Sequence, residues 1–343
     1  MGEVGREVDP KGSISRLWEA VWRQPWAMQV RLVMGDALQE AGDAHGELMA
    51  VQLALERLPD DDDEGEDARE ARDALQVRER HLLKQLRSRL LGRFQPQSAT
   101  WRAGFLDEVT VHDLSALTAL VDCRAAWVLR SLTYMAGLDD FHDLVRRLGD
   151  GRGATLEVLK VGGRGACLGC DRRFRAATLF EVMPRLRRLE LWSQAPDFHG
   201  AIGLRLEHLI IEPSLHEASV LSSLGAAHCP ALKSLTISVV ESPNALPPAL
   251  LNSQTLGPLE QLHLDGAFEP EAVRAVLQSP LGATLKKVSV RLPAWQRWPV
   301  GELDWRDALD RLELFELLTP HFSPADARRI ERLHPIIRVR HTL

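Results

Sequence analysis

From about residue 100 onward, apolar and polar residues alternate in one recurring phase, Leu-x-x-Leu-x-Leu. The hexads read LRSLTY from Leu129, LEVLKV from Leu156, LRRLEL from Leu186, LEHLII from Leu206, LKSLTI from Leu232, LEQLHL from Leu259, LKKVSV from Leu285 and LDRLEL from Leu309. A weaker member, LDEVTV, begins at Leu106. In an extended chain side chains alternate between two sides, so the fourth and sixth positions face one way and the third and fifth the other. Each hexad therefore predicts a short strand with one apolar face. The steps between successive starts are 23, 27, 30, 20, 26, 27, 26 and 24 residues, the spacing of a repeating supersecondary unit. A single strand cannot hide its leucines. Each buried leucine contributes roughly 1.5 to 3 kcal/mol, so nine units in register form a continuous core that no single unit could build.

Parallel strands require crossovers, and the intervening segments read as helical where they are long enough. AFEPEAVRAVLQSP (267 to 280) has proline near a helix start and turns Val273, Val276 and Leu277 to one face. PSLHEASVLSSLG (213 to 225), with Ser214 as cap, and LDDFHDLVRRLG (138 to 149) both end on glycine. The shortest step leaves WSQAPDFHGAIGLR between strands, room for a loop or a single turn. SPADARRIERLHPIIRVRH (323 to 341) offers a helix capped by Ser323 and a last strand, which would close the array.

The segment before the hexads has helical periodicity. Leu17, Val21 and Trp22 form one face; after Pro25, Val30, Leu32, Val33, Ala37 and Leu38 predict a second helix stopped at Gly42-Asp43; Leu48, Val51, Gln52 and Leu55 mark a third. A fourth, residues 66 to 94, follows an acidic loop at 59 to 67. The expected organisation is a flexible N-terminus (1 to 12), a helical unit (13 to 95) and a repeat array of about nine units with a C-terminal cap (100 to 343). The helical unit would cover the first repeat, whose leucines otherwise meet water.

The hexads resemble those of the leucine-rich repeat superfamily, and the longer steps with helical crossovers look most like its ribonuclease-inhibitor-type members. That resemblance implies an α/β fold: a leucine-rich-repeat solenoid with a curved parallel sheet on its concave side and helices on its convex side, preceded by a small helical N-terminal domain. The chain departs from the family by placing Trp192, Glu212 and Asp265, not asparagine, after the hexad. RLVMGDALQEAGDAHGELMAVQ from Arg31 resembles the repeat-companion domain of bacterial, chiefly myxobacterial, proteins through Arg31-Leu32-Val33, Asp36, Leu38, Glu40, Gly42-Asp43, Gly46-Glu47 and Gln52. Ala37 stands where that family commonly has tryptophan. The resemblance implies association with repeats and carries no activity.

Composition narrows the function. A 343-residue chain with 45% hydrophobic residues can fold around a large core, no apolar run reaches the roughly 18 to 20 residues of a membrane span, and the charged N-terminus is unlike a signal peptide, so the expectation is a cytoplasmic protein without a membrane partner. The net charge of -6 and the scattered arginines argue against a nucleic-acid partner. Four cysteines suit a reducing compartment.

Chemistry-bearing motifs are incomplete. Cys167 and Cys170, in GGRGACLGCDRRFR, have the spacing of half a zinc site, with His199, His228 and Cys229 as the nearest further ligands, or of a thiol pair beside Arg164, Arg172 and Arg173. PDDDDEGED at 59 resembles a calcium loop but has Ala71 at the terminal acid position. Asp36, Glu40, Asp43 and Glu47 read as exposed or capping residues, and GGRG at 162 lacks the lysine and hydroxyl residue of a phosphate loop. No catalytic constellation emerges, so the chain is expected not to be an enzyme and to need no cofactor. Trp18, Trp22 and Trp26, at helical spacing, suit core packing, with an exposed docking cluster as the alternative.

The outward columns of the predicted sheet are Glu108, Ser131, Val158, Arg188, His208, Ser234, Gln261, Lys287 and Arg311 at the third position, and Thr110, Thr133, Lys160, Glu190, Ile210, Thr236, His263, Ser289 and Glu313 at the fifth. Met135, Trp192, Glu212, Asp265, Arg291 and Phe315 follow the hexads. Arg188, Glu190, Trp192, His208 and Ile210 group an aromatic with charges, and His263, Lys287 and Arg311 extend the same surface. Such a surface suits a protein partner. The expectation is a non-catalytic interaction or scaffold module that binds a protein through the concave face. The alternatives are a zinc- or thiol-dependent regulatory protein centred on Cys167 and Cys170, and an accessory subunit of a larger enzyme assembly.

Overall fold

Pro25 interrupts the first amphipathic run, and helix α1 (Pro10–Arg23) stops just before it. The computed structural model describes residues 10–25, 27–59, 65–96, 98–135, 141–149, 151–162, 173–192, 195–212, 217–239, 246–293, 296, 298, 309–319, 324–333 and 335–340. Its contacts divide the chain into two units, Met1–Thr133 and Tyr134–Leu343. The first unit thus extends past the helices and takes in the first hexad.

In that unit α1 is followed by α2 (Met28–Glu40), α3 (Ala44–Arg57) and α4 (Glu66–Leu91), the four helices the periodicity predicts. The reversal between α2 and α3 uses Gly42 at φ +69°, and the Asp43 carboxylate caps α3 by accepting the His45 N–H at 2.8 Å. Gly46 lets the two helices cross closely: a Cβ there would lie 2.5 Å from Gln39 N and 2.7 Å from Gly35 O. Val21, Met34, Leu38 and Met49 pack with Phe105 and Val128 in one core cluster, while Leu48, Val51, Leu82 and Leu86 form another. Trp18 and Trp22 meet Trp127 edge-on at 5.7 and 5.2 Å, so this pair packs within the unit, as the core-packing reading of the tryptophans expects. Trp26 lies outside the described residues.

Strands β1 (Ser98–Arg102) and β2 (Phe105–Val111) form an antiparallel hairpin around Ala103-Gly104, both at positive φ. Side chains of α3 grip this turn: Gln52 Oε1 accepts the Gly104 N–H, and His45 Nε2 donates to the Gly104 carbonyl, each at 2.7 Å. β2 carries the weak hexad, with Val109 and Val111 buried and Glu108 exposed. Nothing in the hexad pattern announces β1, which adds a strand outside it. Helix α5 (Leu114–Asp122), capped by Asp113, and strand β3 (Ser131–Tyr134) follow.

The second unit alternates crossovers with strands: α6 (Phe141–Gly149), β4 (Val158–Val161), β5 (Arg173–Arg175), α7 (Ala176–Val182), β6 (Arg188–Trp192), β7 (Ala195–Asp197), β8 (His208–Glu212), α8 (Glu217–Gly225), β9 (Ser234–Ser238), α9 (Pro248–Leu251), β10 (Gln261–Asp265), α10 (Pro270–Gln278), β11 (Lys287–Arg291), β12 (Leu314–Leu318), α11 (Pro324–Leu333) and β13 (Ile337–Arg340). Its large sheet runs β4-β6-β8-β9-β10-β11-β12-β13, every adjacent pair parallel. Val158, Arg188, His208, Ser234, Gln261 and Lys287 stand side by side, so third positions align with third positions from strand to strand. The leucines and their aliphatic equivalents at positions one, four and six are buried from Leu156 through Val290. Val273, Val276 and Leu277 of α10 are buried as well.

A backbone motif repeats with the hexads. The carbonyl at each second position accepts two N–H groups from the next repeat: Glu157 from Arg187 and Arg188, Arg187 from Glu207 and His208, Glu207 from Lys233 and Ser234, Lys233 from Glu260 and Gln261, Glu260 from Lys286 and Lys287, Lys286 from Glu313 and Leu314. The side chains at this position alternate in sign, Glu157, Arg187, Glu207, Lys233, Glu260, Lys286 and Glu313. Within that row Glu207 lies 3.9 Å from Arg187 and 3.8 Å from Lys233, and Lys286 bonds Glu260 at 3.1 Å.

This register corrects the last hexad. Lys287 pairs with Leu314 and Val288 with Phe315, so the unit begins at Leu312 and reads LELFEL. Phe315 is buried and takes the inward fourth position that the sequence pattern assigns to Leu312. Arg311 lies outside the strand, its guanidinium donating to the Leu277 carbonyl at 2.7 Å beside α10, and Glu313 holds the second position. Two leucine-rich phases overlap in LDRLELFELL, and the apolar alternation through Leu317 decides between them. The shortest crossover also differs from a plain loop: its β7 pairs in parallel with β5 as a second, two-stranded sheet.

Candidate functional site

On the polar side of the large sheet, β4, β6 and β8 bring Lys160, Glu190 and Ile210 into one row and Arg188 and His208 into the row before it. Side-chain alternation along each strand puts these residues on the same face, opposite the buried leucines. Trp192 and Glu212 continue it at the seventh position. Five residues that the sequence pattern groups, Arg188, Glu190, Trp192, His208 and Ile210, therefore do come together.

Their exposure is unequal. Arg188, Trp192, His208 and Ile210 are partly exposed, whereas Glu190 is only 3% exposed. The Glu190 carboxylate accepts the Arg188 Nε–H at 2.6 Å and lies 3.5 Å from Lys160 Nζ. A buried carboxylate needs such partners, because an unpaired charge out of water costs several kcal/mol. The expectation that Glu190 faces solvent thus needs correcting: its neighbours fold over it. Ser131, another third-position residue, is buried too. The clamp leaves one positive charge in excess, and it holds two long cationic side chains in place. Beside it, burial and the nearby Arg188 charge lower the His208 pKa from the ordinary imidazole value, favouring the neutral ring.

Farther along the sheet, His263 is flanked by Thr236 and Ser289, and burial lowers its pKa also. Lys287 is exposed, Arg291 lies 3.7 Å from Asp265, and Arg340 Nε lies 3.1 Å from Glu316. The Glu316–Arg340 pair occupies the outward face, where the hexad read from Leu309 places Glu313 instead. The apolar alternation to Leu317 is the signal that locates it. Such a surface offers hydrogen-bond donors, two imidazoles whose pKa burial lowers and one large aromatic, and among the described residues of this face no nucleophile is paired with a base.

Cys167 and Cys170 lie outside the described residues, as does most of the acidic loop. Of their candidate co-ligands, His199 Nδ1 is engaged with the Asp197 carboxylate at 2.7 Å, and burial pushes the Cys229 thiol up to about 11. Among the described residues no group of three His, Cys, Asp or Glu side chains is placed to hold a metal ion, and no helix is long and apolar enough to cross a membrane.

No protein-family model matches the chain, and no curated protein matches it in sequence. Among solved structures, a structural-genomics protein from Bacteroides fragilis is similar, with a TM-score of 0.50 at 16% identity over 62% of this chain. The match spans 65% of that protein's own length. At this identity the likeness is one of fold alone, in keeping with an α/β chain built on a large, mostly parallel sheet.

Proposed function

We propose that the chain is a leucine-rich-repeat solenoid acting as a non-catalytic interaction module, and that it binds a protein partner in the cytoplasm through the polar face of its sheet, the concave face of such a solenoid. One observation carries the reading: the third- and fifth-position columns stand in register across consecutive strands, and the Arg188–Glu190–Lys160 clamp fixes their charged members in advance. A surface ordered before binding avoids much of the entropy cost of docking. Trp192, Ile210 and His208 would supply the anchors, with Lys287 and His263 extending the contact; aromatic anchors surrounded by polar groups are the usual energetic centre of a protein interface.

Capture from a bacterial lysate with wild-type protein, Trp192→Ala and Arg274→Ala tests this, Arg274 being an exposed residue of α10. A protein retained by the wild type and by Arg274→Ala but lost with Trp192→Ala supports the reading. Partners retained equally by all three overturn it.

A further inference from the structure

The first unit contains a cleft of about 690 Å³, a volume within the range of small-molecule sites. Ile14, Trp18, Leu38, Leu90, Leu91 and Ala119 give it an apolar wall. His45 also lines it and is 2% exposed. Because the Gly104 carbonyl can only accept, the ring must carry its proton on Nε2, which donates to that carbonyl at 2.7 Å. Burial favours the neutral imidazole, so Nδ1 is a lone-pair acceptor. No hydrogen bond reaches Nδ1 among the described residues, and the atom is not fully buried, so it can accept a hydrogen bond from a molecule that enters the cleft. Beside it, Asp43 uses one oxygen, Oδ1, for both the His45 N–H and Arg89. At the exposed rim stand Arg93 and Arg124 against Asp122, a net positive charge once Asp43 and Arg89 are paired.

We infer that this cleft binds a small aromatic carboxylic acid that carries an N–H or O–H donor away from its carboxylate. The donor satisfies His45 Nδ1, the ring lies along Trp18 and the leucines, and the carboxylate meets the rim arginines. This site is separate from the sheet face and stands whether or not that face binds a protein.

Calorimetric titration of the full chain with indole-3-butyrate, its 1-methyl derivative and its primary amide tests each contact. Indole-3-butyrate should bind at one site, with about tenfold weaker binding for the methylated compound, which lacks the donor, and for the amide, which lacks the charge. Arg93→Ser with Arg124→Ser should weaken the acid about tenfold and leave the amide unchanged. Ala119→Trp should abolish binding by filling the cleft; Ser115→Phe, on the same helix, serves if that variant does not fold. Absence of saturable binding, or equal affinity for the methylated probe, or binding unchanged in a folded cleft-filling variant, overturns the inference.

Discussion

The buried Glu190 carboxylate accepts the Arg188 Nε–H at 2.6 Å from two residues away on the same strand. With Lys160 Nζ 3.5 Å away, this pair is a buried ionic contact of the sheet's polar face. Replacing Glu190 by Gln should destabilise the protein by about 1 to 3 kcal/mol, because Arg188 and Lys160 lose the carboxylate that balances them. A double-mutant cycle of Glu190→Gln and Arg188→Met, read by urea unfolding, should show a coupling of about 1 kcal/mol, limited by the exposure of Arg188.

The alternating charges at the second hexad positions make a different kind of prediction. Glu207→Lys would set a further cation between Arg187 and Lys233, where wild type has a carboxylate between two bases. Stability should fall by about 1 kcal/mol in low salt, and most of the loss should disappear in about 1 M salt, since exposed charge interactions are screened. Unfolding curves for both proteins at the two ionic strengths decide it; a salt-independent loss would mean that the row acts through packing instead.

Acid should weaken the first unit through His45. Burial lowers the pKa of this ring below the ordinary value of about 6.5. Between the folded and unfolded values the unfolded chain holds the proton and the folded chain does not, so stability rises with pH in that window. It is fully present above about pH 6.5 and is lost as pH falls towards the folded value. His208 and His263 shift in the same direction, so wild type must be compared with His45→Gln. Wild type should lose more stability than the variant between about pH 7.5 and pH 5.5; equal losses would remove His45 as a cause.

Gly46 tests the crossing of α2 and α3. Gly46→Ala places a methyl 2.5 Å from Gln39 N, against backbone that cannot turn aside, so the helices must separate. A loss of about 2 kcal/mol or more in thermal or urea unfolding is expected, well beyond the stabilisation of up to about 1 kcal/mol that alanine brings to an unconstrained helix site.

How much of the molecule is legible in the sequence depends on the period of the signal. Strands β4, β6, β8, β9, β10 and β11 follow from their hexads because burial on one face and a period of two fix the register together. The four N-terminal helices follow from apolar spacing, Pro25 and Gly42 in the same way. The pattern misplaces the last hexad because Leu309, Leu312 and Leu314 satisfy it as well as Leu312, Phe315 and Leu317 do, and only pairing with β11 separates them. β1 and the β5–β7 pair have no repeating signal, since their partners are supplied by the fold. Within the candidate site, the grouping of Arg188, His208, Ile210 and Trp192 is readable from hexad position alone. The burial of Glu190 is not, because it depends on Arg188 and Lys160 folding across the strand. The alternating second-position charges are visible in the sequence once the hexads are read as columns.

The most direct measurement compares one substitution at two neighbouring residues of β10. Leu262 is 2% exposed between Leu235 and Val288, while Gln261 is exposed beside Lys287. If the leucines of successive strands share one interior and the alternate residues face outward, Leu262→Asp should cost about 4 kcal/mol or more in urea unfolding and Gln261→Asp less than about 1 kcal/mol. Equal losses, or a greater loss from Gln261→Asp, would contradict the inward and outward assignment on which the binding face rests.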